Sequence, residues 1–158
     1  MLFSTKAEYG VRLMVALGRQ PDSAPVSLSA VAEAERLPLS YLEHLVAKLR
    51  RAGLGTSTRG AHGGYSLAKP ADEITLDTVV EALEGQIAPM ECFHETPEGK
   101  VLCSHESDGD HHACATKLLW TRVQGGVTKA LAGTTLAELV EFGGGASEKA
   151  PAALGSAA

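Results

Sequence analysis

The sequence predicts a mainly α-helical fold with one small β-hairpin. Three observations indicate this class. Apolar residues recur at helical spacing along most of the chain. A glycine-rich turn separates two short runs of strand-forming residues in LGTSTRGAHGGYSLAK, and a long amphipathic helix is predicted near the C-terminus. A chain of 158 residues can bury a core of this kind without disulfide bonds.

Two helices are predicted in the first 37 residues. In STKAEYGVRLMVALG the apolar spacing is helical, with Ser4 as a plausible N-cap and Gly18 as a stop. A second, shorter helix is predicted in SLSAVAEAERL. It should end at the Leu37-Pro38 step, because the residue before a proline is pushed out of helical geometry.

The third predicted helix, in SYLEHLVAKLRRAG, carries the clearest local signals. Ser40 and Glu43 have the spacing of a capping box, and Gly53 supplies a C-terminal stop. One face is an apolar stripe: Leu42, Leu45, Val46 and Leu49. The opposite face is polar and mostly basic: Ser40, His44, Lys48 and Arg51, with Glu43 at its edge. A short helix, a tight turn and a second helix with such an outer face are typical of a helix-turn-helix.

A hairpin is predicted directly after this helix, and a hairpin in that position is a wing. Arg59 lies at the base of its turn, RGAHGG, and is followed by Gly60. The fold prediction is therefore a winged helix-turn-helix plus a long dimerisation helix, with residues 1–70 as the DNA-binding domain.

The remaining chain predicts helices around a cysteine-bearing loop, together residues 71–142. PADEITLDTVVEALEG predicts a helix ending at Gly85. A long helix from about Ala113 has a stripe suited to a dimer seam, and the pair Gly125-Gly126 inside it permits a kink or break. The stripe consists of Leu119, Val123, Val127 and Leu131. TTLAELVEF predicts a last helix with a Thr135 to Glu138 capping box, and residues 143–158 predict a disordered tail.

Charge is distributed unevenly along the chain. The net charge is −5, yet residues 40–60 hold four cations against one carboxylate, whereas residues 71–114 hold eleven carboxylates against one lysine. This asymmetry indicates one part that meets a polyanion and another that does not. No export signal and no apolar run of membrane-spanning length is recognised, so the sequence predicts a cytoplasmic protein with reduced thiols and no membrane partner.

All three cysteines lie in one loop, as Cys92, Cys103 and Cys114, with ten residues between each successive pair. Clustered thiols in a reducing compartment indicate metal binding or redox chemistry. Thiolates are the usual ligands of iron-sulfur clusters, but zinc also accepts three cysteines and a histidine. Structural zinc sites favour closer cysteine pairs, and the spacing alone leaves both metals open. Nothing resembles a redox C-x-x-C, a phosphate loop or a nucleophile elbow, so no enzyme is predicted.

Four stretches together carry a family resemblance: LPLSYLEHLVAKLRRAGL, RGAHGGYSLAKP, ITLDTVVEALEG and the cysteine loop that leads to LLW. From about Ser4 to Phe142 the chain resembles the bacterial winged-helix transcription regulators that include the iron-sulfur cluster regulator IscR and the nitric-oxide sensor NsrR. The resemblance implies a homodimer built on the long helix and a palindromic DNA operator. It also implies that the protein acts as a repressor whose promoter binding responds to cluster supply, redox state or nitric oxide.

The resemblance also implies a ligand set for a two-iron or four-iron cluster. Cys92, Cys103 and Cys114 fall in order at the family's cysteine positions, although family loops are shorter. The histidine ligand of IscR-like members is replaced here by Lys117, whereas the N-terminal carboxylate of NsrR-like members, contributed by the other subunit, is matched by Glu8. The rival fourth ligands are His105, His111 and His112, and zinc is the alternative metal.

For DNA contact, the resemblance places Ser40, Tyr41 and Glu43 at the DNA surface and Arg59 at the head of the wing, beside Gly60. Residue chemistry predicts the roles. The phosphate contacts are Lys48, Arg51 and Arg59. The candidates for reading base edges are Ser40, Tyr41, Glu43 and His44. Glu43 is either a helix cap or an acceptor for a cytosine amino group.

Overall fold

The computed structural model describes residues 3–87, 94–95, 101–102 and 115–144. The elements in chain order are α1 (Thr5–Gly18), α2 (Leu28–Glu35), α3 (Leu39–Arg51), β1 (Gly55–Thr58), β2 (Gly64–Leu67), α4 (Leu76–Glu84), β3 (His94–Glu95), β4 (Val101–Leu102), α5 (Ala115–Ala132) and α6 (Leu136–Gly144). Single 3₁₀ turns precede α2 and α4, at Pro21–Ser23 and Ala71–Glu73. The mainly α fold with one small wing hairpin is confirmed.

One buried cluster joins α1, α2, α3, α4 and α6, and thus both sides of the predicted boundary at residue 70. Its centre is formed by fully buried side chains such as Leu13, Met14, Leu42 and Leu136. Apolar burial of this kind is the main stabilising contribution to a small domain. The helix α1 begins where predicted, since the Ser4 hydroxyl accepts from the N–H of Lys6 at 3.1 Å.

The end of α2 differs slightly from the prediction. The helix ends at Glu35 because Arg36 adopts a left-handed backbone, with φ of 54°. The N–H of Leu37 then donates to the carbonyl of Ala32 at 2.9 Å, which closes the helix in a Schellman arrangement before Pro38 is reached.

The predicted capping box at the start of α3 is wrong. The helix begins at Leu39 with Pro38 as N-cap, so Ser40 already lies inside the first turn, and no side chain caps this end. Pro38 has an extended backbone, which suits an N-cap position. Its carbonyl accepts the N–H groups of Tyr41 and Leu42, both at 3.1 Å. Glu43 is consequently an exposed carboxylate with no capping role.

The predicted stop at Gly53 is confirmed. Gly53 has a φ of 71°, a left-handed conformation that costs glycine little. Its N–H donates to Arg50 O at 3.0 Å, and the N–H of Leu54 donates to Leu49 O at 2.9 Å. This Schellman motif directs the chain from α3 straight into the wing.

The wing is an antiparallel pair in which Thr56 lies opposite Ser66 and Thr58 opposite Gly64. On the other side of β2, Tyr65 exchanges two backbone hydrogen bonds with Val26, at 2.8 and 3.0 Å. A Cβ at Gly64 would collide with the Val26 backbone, so this position requires glycine. The hairpin is therefore anchored to the segment that leads into α2.

The second half of the chain follows the predicted order. Gly85 ends α4 with a φ of 86°, as expected. The break that the pair Gly125-Gly126 would permit does not occur, because α5 runs from Ala115 to Ala132 through both residues. Both glycines are exposed, so no packing contact depends on them. Each costs about 1 kcal/mol relative to alanine because glycine has a low helix propensity, and this does not prevent the helix from forming.

In α6 the Thr135 hydroxyl accepts from the N–H of Glu138 at 3.3 Å, which confirms the predicted N-cap. This helix continues to Gly144, so Gly143 and Gly144 of the predicted tail are helical. The rest of that tail, residues 145–158, lies outside the described residues. Within the described ranges, no helix has the length and apolar character needed to cross a membrane.

Candidate nucleic-acid interface

Most of the predicted outer face of α3 is exposed, with Lys48 as the exception. The predicted apolar stripe is fully buried, so the side chains on the opposite side of the helix face solvent. Ser40, His44 and Arg51 lie on this outer side, and all three are exposed. The structure therefore brings two predicted base readers and one predicted phosphate contact onto a single accessible face.

One flank of α3 is occupied by contacts inside the protein. Tyr41 is half-buried, and its ring meets that of Tyr9 edge-on, with centroids 5.7 Å apart and planes at 88°. Lys48 is also half-buried, and its Nζ donates to the carbonyl of Leu83 at 2.9 Å. We call this side, defined by Tyr41 and Lys48, the inner flank. These two residues thus contact α1 and α4, whatever part they also take in DNA binding.

The other side of α3 is open. Glu43 and Arg50 lie on it, and both are exposed. Arg50 was not among the predicted DNA-binding residues, because local sequence does not show which element packs beside its side chain. An open groove of about 470 Å³ adjoins this side, which we call the open flank. The groove is lined by Ala47, Arg50, Arg51, Gly55 and Thr56.

The wing presents the remaining predicted DNA contacts. Arg59 and Gly60 are exposed in the turn between β1 and β2, and Gly60 has a φ of 118°. Gly63 closes the turn by donating its N–H to Gly60 O at 2.9 Å. A Cβ at Gly63 would collide with the backbone of Thr58, so the tight turn requires this glycine.

The ion pairs of the described residues lie away from this surface. Glu35 pairs with Arg12 at 3.0 Å and with Arg19 at 3.9 Å, joining α1 to the end of α2. Lys6 is 3.9 Å from Glu84. No carboxylate of the described residues pairs with Arg50, Arg51 or Arg59. These three guanidiniums are therefore available to an external anion.

The last turn of α4 is bound to the start of α1. The Glu84 carboxylate accepts from the backbone N–H groups of Ser4 and Ala7, at 3.0 and 3.3 Å, and from the Ser4 hydroxyl. Burial alone would raise the pKa of Glu84. The hydrogen bonds from Ser4 and Ala7 and the charge of Lys6 outweigh burial and hold that pKa below its ordinary value. Glu84 thus acts as a long-range cap for α1.

The predicted metal ligands are only partly within the described residues. Glu8 is exposed in the first turn of α1, the turn that Glu84 caps. Cys92, Cys103, Cys114, His105, His111 and His112 lie outside the described residues. Among residues 3–87, 94–95, 101–102 and 115–144, no three histidine, cysteine or acidic side chains come together as a metal site. The ligand set stays a prediction.

A two-residue hairpin lies inside the cysteine loop. In it His94 pairs with Leu102 and Glu95 with Val101, in antiparallel register. His94 is two positions after Cys92 in sequence, and Leu102 immediately precedes Cys103. Both strands of this pair lie, in sequence, between the first two cysteines.

A helix-turn-helix with an exposed polar second helix and an adjoining anchored hairpin defines a winged-helix DNA-binding protein. The chain matches the model of the Rrf2 family, described as iron-dependent transcriptional regulators, over residues 3–142, and it belongs to that family. The predicted resemblance and the predicted class, a transcription regulator rather than an enzyme, are confirmed.

Individual relatives support this assignment along nearly the whole chain. The transcriptional regulator CymR of Bacillus subtilis (strain 168) is 35% identical over 148 residues, which are 94% of this chain and 96% of CymR. The solved structure of that protein, named there as the global cysteine regulator, superposes with a TM-score of 0.72. The structure of T. potens IscR has a TM-score of 0.73 at 30% identity and covers 94% of each chain.

Proposed function

We propose that this protein regulates promoters in the cytoplasm as a homodimer whose DNA binding is controlled by an iron-sulfur cluster in its cysteine loop. The observation that carries the proposal is the last turn of α4. It contacts both the first turn of α1 and the recognition helix α3, and the cysteine loop begins a few residues after it.

In DNA recognition, α3 would enter the major groove with its outer face towards the bases. Ser40 and His44 can donate to or accept from base edges there. The exposed carboxylate of Glu43 can accept from a cytosine amino group, since capping no longer competes for it. Arg51 and the wing residue Arg59 would contact phosphates, which determine affinity more than sequence preference.

The hairpin of β3 and β4 supports a shared site for the cysteines. A separation of ten residues would allow Cys92 and Cys103 to lie far apart in an extended chain. Antiparallel pairing of His94 with Leu102 instead brings together the chain neighbours of these two cysteines. The ten-residue separation of Cys92 and Cys103, although longer than in the loops of other family members, is thus compatible with one cluster site.

The donor set fits an iron-sulfur cluster. Three thiolates from Cys92, Cys103 and Cys114 are the soft ligands that such clusters require, and one harder carboxylate would complete the set. Glu8 is the leading fourth ligand, because it is exposed and forms no ion pair among the described residues. A bound cluster supplies a reactive centre for oxidants or nitric oxide.

A change in the loop could reach the DNA-binding face through short contacts. Lys48 on α3 donates to the carbonyl of Leu83, and the next residue, Glu84, caps α1. The side chain of Leu83 also fills the space over Gly10, where a Cβ would collide with it. A displacement of this turn of α4 would therefore alter both α1 and the inner flank of α3. Coupling of this kind requires two conformations with different DNA affinity.

The homodimer is supported by the apolar face of α5. Leu118 and Leu119 are 60% and 54% exposed, and Val123, Val127 and Leu131 are only half-buried within the chain. Exposed apolar residues along a long helix indicate a partner surface. A two-fold dimer would present two copies of α3 to the two halves of a palindromic operator.

The first test is anaerobic purification followed by visible absorption, iron, sulfide and zinc assays, and DNA titration on the same sample. The proposal predicts brown protein with iron and acid-labile sulfide, and a change in DNA affinity when air or nitric oxide bleaches it. Colourless protein holding zinc would instead support the second candidate, a zinc-stapled or cluster-free repressor. That candidate is favoured by the similarity to CymR, a protein named for cysteine regulation.

The fourth ligand has its own test. Glu8→Ala should weaken the cluster, observed as faster loss of visible absorbance in air, whereas Glu33→Ala should not, since Glu33 is an equally exposed glutamate on α2. Equal bleaching rates in the two variants would exclude Glu8 and direct attention to His105, His111 and His112.

A further inference from the structure

We propose that the groove on the open flank of α3 binds a phosphate of the DNA backbone, with Arg50 as its principal cation. The inference rests on the proposed DNA-binding function and deepens it, because it assigns a contact to a residue and a groove outside the predicted set.

The lining of the groove suits an oxyanion. Arg50 and Arg51 contribute two guanidiniums and Thr56 a hydroxyl, while Ala47 and Gly55 are too small to fill the space. A Cβ at Gly55 would lie 3.8 Å from Cγ of Arg50, so the aliphatic stem of Arg50 runs beside the backbone of β1. The arginine is thus positioned by packing rather than by an ion pair.

The two arginines are not needed for helix capping. The carbonyls of Leu49 and Arg50 already accept the N–H groups of Leu54 and Gly53. Lys48, the other cation of this helix end, is held by the Leu83 carbonyl. Of the three cations in the last turn of α3, only Arg50 and Arg51 therefore remain without a partner among the described residues.

The edge of β1 contributes backbone donors. Tyr65 exchanges its backbone hydrogen bonds with Val26, so its N–H and C=O point away from β1. Ser57 lies opposite Tyr65 and therefore forms a non-hydrogen-bonded pair with it. Because hydrogen-bonded and non-hydrogen-bonded pairs alternate in antiparallel strands, Gly55, two residues before Ser57, is in the same position. The N–H groups of Ser57 and Gly55 thus point to the outer edge of β1. Within the described part of the chain, no strand pairs with this edge. Gly55 lines the groove although the residue as a whole is buried, and this edge of β1 lies beside Arg50.

The position of the groove matches the path of the DNA strand. When a recognition helix occupies the major groove and a wing lies beside it, the phosphodiester strand that borders the major groove runs between the two elements. The groove lies between the last turns of α3 and the base of the wing. A backbone phosphate is therefore the anion that docking would bring to Arg50.

The test measures the affinity of the full-length protein for a labelled mixed-sequence duplex at several salt concentrations, for the wild type, Arg50→Gln, Arg50→Lys and Arg122→Gln. Arg50→Gln should reduce the slope of log affinity against log salt by about one. The factor by which Arg50→Gln binds more weakly than the wild type should therefore decrease about threefold when the salt concentration rises from about 50 to 200 mM. Arg50→Lys should restore the slope. Arg122→Gln is the matched control, because it removes the same charge from an exposed position on α5.

The possible outcomes separate the two proposals. A wild type that does not bind the duplex would overturn the proposed function itself. A wild type that binds with a strong salt dependence, together with an Arg50→Gln slope equal to that of Arg122→Gln, would overturn the phosphate site alone. A reduced slope that Arg50→Lys restores would support it, since a structural role for Arg50 would change affinity without changing the number of ions released.

Discussion

Both flanks of α3 carry polar side chains, but the surroundings of these side chains differ. On the inner flank Lys48 and Tyr41 are half-buried and contact α4 and α1, whereas on the open flank Glu43 and Arg50 are exposed. A polar face inferred from helical periodicity treats these residues as equivalent. The structure divides them into one side that holds α3 in place and one side that is open to solvent.

The largest effect is expected at the apolar stripe on which both flanks depend. Leu45→Ala removes a side chain that is 2% exposed and leaves a cavity, so the free energy of unfolding should fall by about 2 to 5 kcal/mol. Denaturant unfolding followed by circular dichroism measures this loss. Leu39→Ala is the control on the same helix, because Leu39 is 41% exposed. Similar losses in both variants would contradict the burial of the stripe.

The next effect concerns the turn of α4 that holds the inner flank. Glu84 has a lowered pKa in the folded protein, so its stabilising contribution is complete above its ordinary value of 4.5 and is lost as the pH falls through the folded pKa. Removing the charge with Glu84→Gln should cost about 1 kcal/mol at neutral pH, within the range for lost helix caps.

Denaturant midpoints measured from neutral pH into the acid range test this contribution. The wild type should lose more stability than Glu84→Gln on acidification, so that their difference disappears at low pH. Glu81→Gln on the same helix is the control, since Glu81 is exposed. A Glu84→Gln deficit that persists at low pH would indicate a packing effect rather than loss of the charge.

The smallest effect directly compares two cations of α3. Lys48→Met should lower the free energy of unfolding by about 1 kcal/mol, because the hydrogen bond to the Leu83 carbonyl is lost. Arg51→Met should change stability by less than about 0.5 kcal/mol, as is usual for surface substitutions, and should weaken DNA binding instead. Thermal unfolding and DNA titration on both variants give the comparison. The reverse order of stability would contradict the assignment of the flanks.

Periodicity and local end signals were sufficient to predict most of the fold. The apolar stripe of α3, the wing and the stop at Gly53 followed from patterns only a few residues long. The Ser40 capping box failed because the N-cap is Pro38, two residues before Ser40, so that Ser40 lies inside the first turn. Two local signals for the start of this helix, Pro38 and the Ser40 capping box, compete within the same stretch.

The division of the polar face was not predictable in the same way. Lys48 finds its acceptor 35 residues away, and Glu84 finds Ser4 80 residues away. The groove beside Arg50 exists only because the wing returns alongside α3. Such surroundings are created by tertiary packing, and no local spacing reports them. For the same reason the sequence indicated the ligand types of the cysteine loop but not the pairing of β3 with β4 inside it.

The contacts made by the last turn of α4 also bear on the order in which the protein folds. During synthesis α1, α2, α3 and the wing leave the ribosome before Leu83 and Glu84 do. Until then the start of α1 lacks its long-range cap, and Lys48 lacks its acceptor. Closing an 80-residue separation carries a chain-entropy cost that must be met before the contact stabilises anything. These contacts of α1 and α3 therefore form only when the segment that precedes the cysteine loop has been made.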